Sequence, residues 1–133
     1  MAQDGSTSEI VWDRMFRLSD GRLFVTDGAI TLDAELAKPR VLPGTELTSA
    51  AGSSTERFMA AELPDEFELG ELQRGSRPQT YEAPSGVTLA GKYVEFLRSV
   101  VPGARLRMSG DRDPIVIVSD GKAVGLVMAM VRG

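Results

Sequence analysis

The chain has 133 residues, a formal net charge of −4, and neither cysteine nor histidine. That length fits one domain with a sizeable buried core. Without Cys or His, disulfides, Ser-His and Cys-His couples and the preferred structural zinc sets are closed. Aromatic residues are only 6% of the chain, so aliphatic side chains must supply most of the packing.

The charge is unevenly spread. Residues 1–66 hold 12 acids and 6 bases, whereas residues 67–133 hold 7 acids and 9 bases. A basic half on an acidic protein can steer a polyanion locally, although solvated surface charge gives the same count. Met1 to Ser8 is polar and lacks the apolar core of a secretory signal, so residues 1–8 are expected to be a disordered lead. No apolar run approaches the roughly 20 residues of a membrane helix. The expectation is a soluble, cytoplasmic protein with no membrane association.

In chain order, Glu9 to Leu18 reads as a strand through Ile10, Val11, Trp12 and Phe16. Asp20-Gly21 predicts a hairpin into Arg22 to Thr26, with both turn residues at positive φ. A second pair, Asp27-Gly28, precedes Ile30, Leu32, Ala34 and Leu36, whose period-two spacing predicts a third strand. Pro39, Pro43 and Gly44 end this meander. The small, polar run Leu47 to Ser54 predicts a mobile loop, and Thr55 to Leu63 fits a short helix or a strand, with strand the preferred reading, completing a first half over 9–63. Residues 64–86, with Gly70, Gly75, Pro78 and Pro84, predict a surface connection holding at most one short strand near Phe67 to Leu72.

A helix is expected over the opening of the last part, 87–133. Tyr93, Val94, Phe96, Leu97, Val100 and Val101 share one arc, while Lys92, Glu95, Arg98 and Ser99 fill the other. Pro102-Gly103 stops it. Three strands follow over Ala104 to Met108, Pro114 to Ser119 and Ala123 to Val131, with Ser109-Gly110 and Asp120-Gly121 as turns. The predicted class is α+β: antiparallel sheets packed on one or two helices.

Little of this carries catalytic chemistry. The pairs Asp111/Asp113, Asp65/Glu66 and Glu68/Glu71 lack the further oxygen ligands of a metal site, and no Gly-rich run leads into Lys-Ser or Lys-Thr. A non-enzyme without metal or cofactor is expected. Lys92 and Arg98 on the helix, and Arg105 and Arg107 on the next strand, are candidates for phosphate contact. Val127-Met128-Ala129-Met130-Val131 is apolar throughout, which suits a strand buried on both faces or one side of an adaptable Met-lined groove.

Three stretches together resemble the bacterial sliding DNA clamp, the β subunit of the replicative polymerase. Leu89-Ala90-Gly91-Lys92-Tyr93-Val94-Glu95-Phe96-Leu97 is similar to the family's Asn-x-x-Tyr helix start, and Asp113-Pro114-Ile115-Val116-Ile117 to its Ser-Pro-apolar strand. Val127-Met128-Ala129-Met130 is similar to the closing Val-Met-Pro-Met. Upstream, Leu23-Phe24-Val25-Thr26-Asp27-Gly28 is similar to the Ala-Thr-Asp-Gly-His-Arg-Leu signature. Ala90, Ala129 and Val131 stand where the family has Asn, Pro and Arg.

The resemblance implies a DNA-clamp-like fold and a non-catalytic processivity or accessory role in replication, in a phage or mobile element. It implies duplex DNA bound without regard to sequence, with Lys92, Arg98, Arg105 and Arg107 facing it. It also implies a peptide groove for a polymerase or other clamp-binding protein, with Met128, Met130, Val131, Tyr93, Thr26 and Gly28 as its candidates. A single domain per chain would need a homo-oligomer or a partner clamp to close a ring. The other reading is a single-domain interaction module that binds a peptide or partner clamp without encircling DNA.

Overall fold

A computed structural model describes residues 10–39, 42–47, 49–61, 65–84, 86–108 and 114–130. Expectations for residues 1–8, for the Ser109-Gly110 turn, for Asp111 and Asp113, and for Val131 lie outside them. The class is α+β, with two mostly antiparallel sheets and helices packed on them.

The N-terminal meander forms, with shorter strands than its composition suggested. β1 (Arg14–Arg17), β2 (Leu23–Thr26) and β3 (Ile30–Asp33) pair antiparallel in sequence order. Only Gly21 takes positive φ in the first turn, while Asp20 accepts the Arg22 N–H, so the expected pair of left-handed residues is absent there. Asp120-Gly121 is the Asp-Gly pair with both φ positive, at +52° and +76°. The third strand stops at Asp33 rather than reaching Leu36. The Asp33 carboxylate caps α1 (Ala34–Ala37) by accepting the Glu35 N–H, which turns the chain out of the sheet.

The larger correction comes next. The segment expected to be a loop followed by a strand, with a short helix as the alternative to that strand, is one helix, α2 (Ser49–Ala60), after a two-residue β4 (Thr45–Glu46). Gly52, Thr55 and Met59 fall at i, i+3 and i+7 and are its buried side, so small residues let it lie close to the sheet. The expected surface connection likewise holds structure. β5 (Asp65–Glu68) is an edge strand of the main sheet. A 3₁₀ turn over Leu69–Glu71 follows, then β6 (Gln73–Arg74) and β7 (Thr80–Glu82). Phe67, Leu69, Leu72, Tyr81 and Ala83 from this stretch are core residues.

In the C-terminal part β8 (Thr88–Ala90) is an unexpected strand just ahead of the helix, whereas α3 (Gly91–Val100), β9 (Arg105–Met108), β10 (Ile115–Ser119) and β11 (Lys122–Val127) follow expectation. Strand character ends at Val127, not Val131. The main sheet runs β4-β1-β2-β3-β11-β10-β9-β5 and the small one β6-β7-β8.

The two faces of the main sheet have separate covers. Val25, Leu32, Leu106, Ile115 and Ile117 point to the side of α3 and the small sheet, where Val94 and Leu97 are buried with them. Their neighbours Phe16, Phe24, Val116, Val118 and Leu126 point the other way, toward Met59 of α2. Side chains alternate across a strand, so α2 and α3 lie on opposite faces of one sheet. Each fully buried Leu or Val contributes about 1.5–3 kcal/mol to holding these layers.

Candidate functional site

The chain leaves β11 as an extended segment, Met128-Ala129-Met130, that alternates exposed, buried, exposed. Ala129 joins the large core, while Met128 and Met130 are 38% and 36% exposed and turn away from it. Both ends of the segment are pinned by main-chain hydrogen bonds. The Met128 N–H donates to the Ala29 carbonyl at 2.8 Å, and the Met130 N–H to the Thr88 carbonyl at 2.8 Å. Ala29 immediately precedes β3 of the main sheet, and Thr88 opens β8 of the small one. Three residues therefore bridge the two sheets.

The turn that presents Ala29 is built by Thr26 and Asp27. One Asp27 oxygen accepts the N–H groups of Ala29 and Ile30, at 2.8 and 2.9 Å. The Thr26 hydroxyl donates to the Ile30 carbonyl and accepts the Gly28 N–H. Gly28, at φ +99°, lies against the Arg14 guanidinium, so a Cβ there would meet Arg14 Nη2 at 2.7 Å. The other Asp27 oxygen accepts the Tyr93 hydroxyl at 2.8 Å. Burial and this carboxylate push the Tyr93 phenol up to about 12. The Lys92 ammonium lies over the Tyr93 ring at 5.1 Å from its centroid.

Five of the six expected groove residues thus belong to one neighbourhood, although Thr26 and Met130 are more than a hundred positions apart in sequence. Their roles differ from expectation. Tyr93 and Thr26, at 8% and 5% exposure, are supports rather than lining. Met128 and Met130 are the exposed pair, and Gly28 is exposed beside them in the turn. Asp27 went unmarked as a site residue, yet it joins the turn to α3. The Asp-Gly pair hinted at a turn and held no sign of a tyrosine partner 66 positions away.

The four basic candidates separate. Lys92 is exposed on α3. Arg98 is not on the solvated arc: its Nη2 donates to the carbonyls of Leu69 and Leu72 at 3.2 and 2.8 Å, and its guanidinium carbon sits 4.8 Å from the Tyr81 ring centroid. It secures the end of the 3₁₀ turn. Arg105 and Arg107 are cross-strand neighbours of Val118 and Val116, and so share the α2 face. There Arg105 bonds Glu66 and Glu68 of β5, and Arg107 lies 3.7 Å from Glu66. The Arg105 hydrogen bond holds the Glu66 carboxyl below its usual range. Lys92 and the β9 arginines therefore sit on opposite sides of the sheet.

Among the described residues no three Asp or Glu side chains gather as a metal site, and no helix is long and apolar enough to cross a membrane. Comparison with protein-family models, curated proteins and solved structures finds no match to this chain.

Proposed function

We infer that this protein is a non-catalytic interaction module whose Met128-Ala129-Met130 segment docks an extended apolar peptide of a partner protein. The observation that carries the reading is the methionine pair itself. Two thioethers face solvent side by side on a backbone pinned at both ends, so the surface is positioned while its side chains stay adaptable. A peptide with apolar side chains at alternate positions suits a period-two row of this kind. A polymerase or a partner clamp is the donor that the clamp resemblance suggests.

The reading as a DNA processivity factor has less behind it. Basic helices around duplex DNA need a common face, and α2 and α3 have none. On α3, exposed Lys92 is followed by exposed Glu95, and the β9 arginines are occupied by Glu66 and Glu68.

The test is a library of extended peptides with alternating apolar positions, read by the methionine ε-methyl resonances. Bound peptides are expected to move Met128 and Met130 and to leave the buried Met59 and Met108 in place. Replacing both Met128 and Met130 with Ser should weaken binding at least about tenfold, the loss of roughly 1.4 kcal/mol. Peptides that bind without moving either methyl would refute the site. Duplex DNA binding that falls steeply with added salt would restore the clamp reading.

A further inference from the structure

We propose that Asp27 and Tyr93 form a clasp between the two sheets that sets the position of the Met128-Ala129-Met130 segment. Both are then positioning residues for docking, without touching the docked peptide. The proposal rests on the docking reading only for its consequence, since the clasp itself can be measured with no partner present.

The segment hangs from two carbonyls on different sheets. Ala29 O belongs to the turn after β2, and Thr88 O to β8. The distance between those carbonyls decides whether three residues can satisfy both. Within the main sheet, Asp27 Oδ1 fixes Ala29 by accepting its N–H. Across the junction, Tyr93 Oη reaches Asp27 Oδ2 from α3, which starts directly after β8. The N-terminus of α3 is held to the small sheet in turn, because the Gly91 N–H donates to Gln79 O at 2.7 Å. A continuous path of hydrogen bonds therefore runs from Ala29 through Asp27 and Tyr93 to the element that carries Thr88. A second tie crosses farther along the helix, where Trp12, just before β1, meets Phe96 with ring centroids 5.7 Å apart. That contact involves neither Ala29 nor Thr88, so it holds the layers together without tying the two carbonyls.

Removing the Tyr93 hydroxyl leaves the apolar packing of its ring and cuts the path at one bond. Ala29 and Thr88 are then free to drift, and the Met128 N–H bond, which hangs from the turn that Asp27 holds, opens more often. The surface loses the fixed separation of its two methionines before it loses any apolar area. Peptide affinity should fall through lost preorganisation.

Amide hydrogen exchange in native buffer reads the clasp directly. Tyr93→Phe is expected to speed exchange at Met128 about tenfold, the size of one lost buried hydrogen bond. Tyr81→Phe removes a phenol hydroxyl that also meets α3, 3.5 Å from Glu95, but bonds no atom of this path, and should leave Met128 unchanged. Asp27→Asn serves as a second variant, because its amide oxygen still accepts the turn N–H groups while the charge-assisted bond from Tyr93 is replaced at best by a weaker, reversed one in which the amide nitrogen donates to the hydroxyl. A Met128 rate unmoved by Tyr93→Phe and Asp27→Asn, or moved equally by Tyr81→Phe, would overturn the clasp. Faster exchange at Met128 with unchanged peptide affinity would overturn the positioning role. Faster exchange in a protein that binds no peptide would sink the docking reading and leave the clasp standing.

Discussion

Tyr93 shows how one side chain can serve packing and charge together. Its ring is core, and its hydroxyl spends its proton on a carboxylate from the far side of the sheet junction. Since its phenol is pushed from about 10 in an unfolded chain up to about 12, the linkage has a definite sign. The protonated form is the bonded one, so its contribution is complete below pH 10 and disappears as pH rises through about 12. The loss should reach on the order of 2 kcal/mol. Urea midpoints from pH 8 to 12 should therefore fall more steeply for the native chain than for Tyr93→Phe. Equal slopes would exclude the coupling. The tyrosine was legible as a site candidate from its place in the helix motif, but not its role, because periodicity reports which arc a residue occupies and not what faces it. Arg98 is the converse case. The wheel put it on the polar arc, and no local pattern could reveal that the carbonyls of Leu69 and Leu72 converge there.

Elements were readable where local preference and burial agreed. In α3 the apolar arc, the Pro102-Gly103 stop and the strong helix formers Lys92, Glu95, Leu97 and Arg98 all point the same way. α2 is the opposite case. Ser53, Ser54 and Thr55 are poor helix formers, and Gly52 is worse. Its helix exists because the chain is pressed against β1, with Glu56 accepting the Ser19 N–H and hydroxyl at 2.7 Å each. Those bonds also keep the Glu56 carboxyl below its ordinary value. The glycine that weakens the local signal is what permits the contact, since a Cβ at Gly52 would collide with the Arg17 carbonyl. Gly52→Ala thus sets a helix-propensity gain of about 1 kcal/mol against overpacking of about 1–3 kcal/mol. The obstacle is backbone and cannot rotate away, so destabilisation should win. A raised thermal midpoint for Gly52→Ala would show that α2 sits less tightly than described. α1 fell to a different ambiguity. Ala34 and Leu36 continue the period of Ile30 and Leu32, and only the capping oxygen of Asp33 ends the strand.

At the scale of the whole molecule, the central feature is the pairing of β3 with β11, the third strand with the last. The meander and the C-terminal hairpin were each readable from turns and alternation, but their junction was not, because it joins residues more than ninety positions apart. Gly125 hints at it only in retrospect. It stands opposite Leu32, where an added Cβ would strike the Thr31 carbonyl. Deleting residues 122–133 should leave β3 and β10 with bare edges in the middle of the sheet, and the product should aggregate rather than fold as a smaller domain. A soluble, cooperatively melting truncation would contradict this. The same pairing sets a timetable for synthesis. The meander leaves the ribosome ahead of β11 with the edge of β3 exposed, and that edge waits until residues 122–127 are made before its partner arrives. The strand that joins the meander to the C-terminal hairpin leads directly into the methionine pair, so the proposed docking surface takes shape only once β11 has paired with β3.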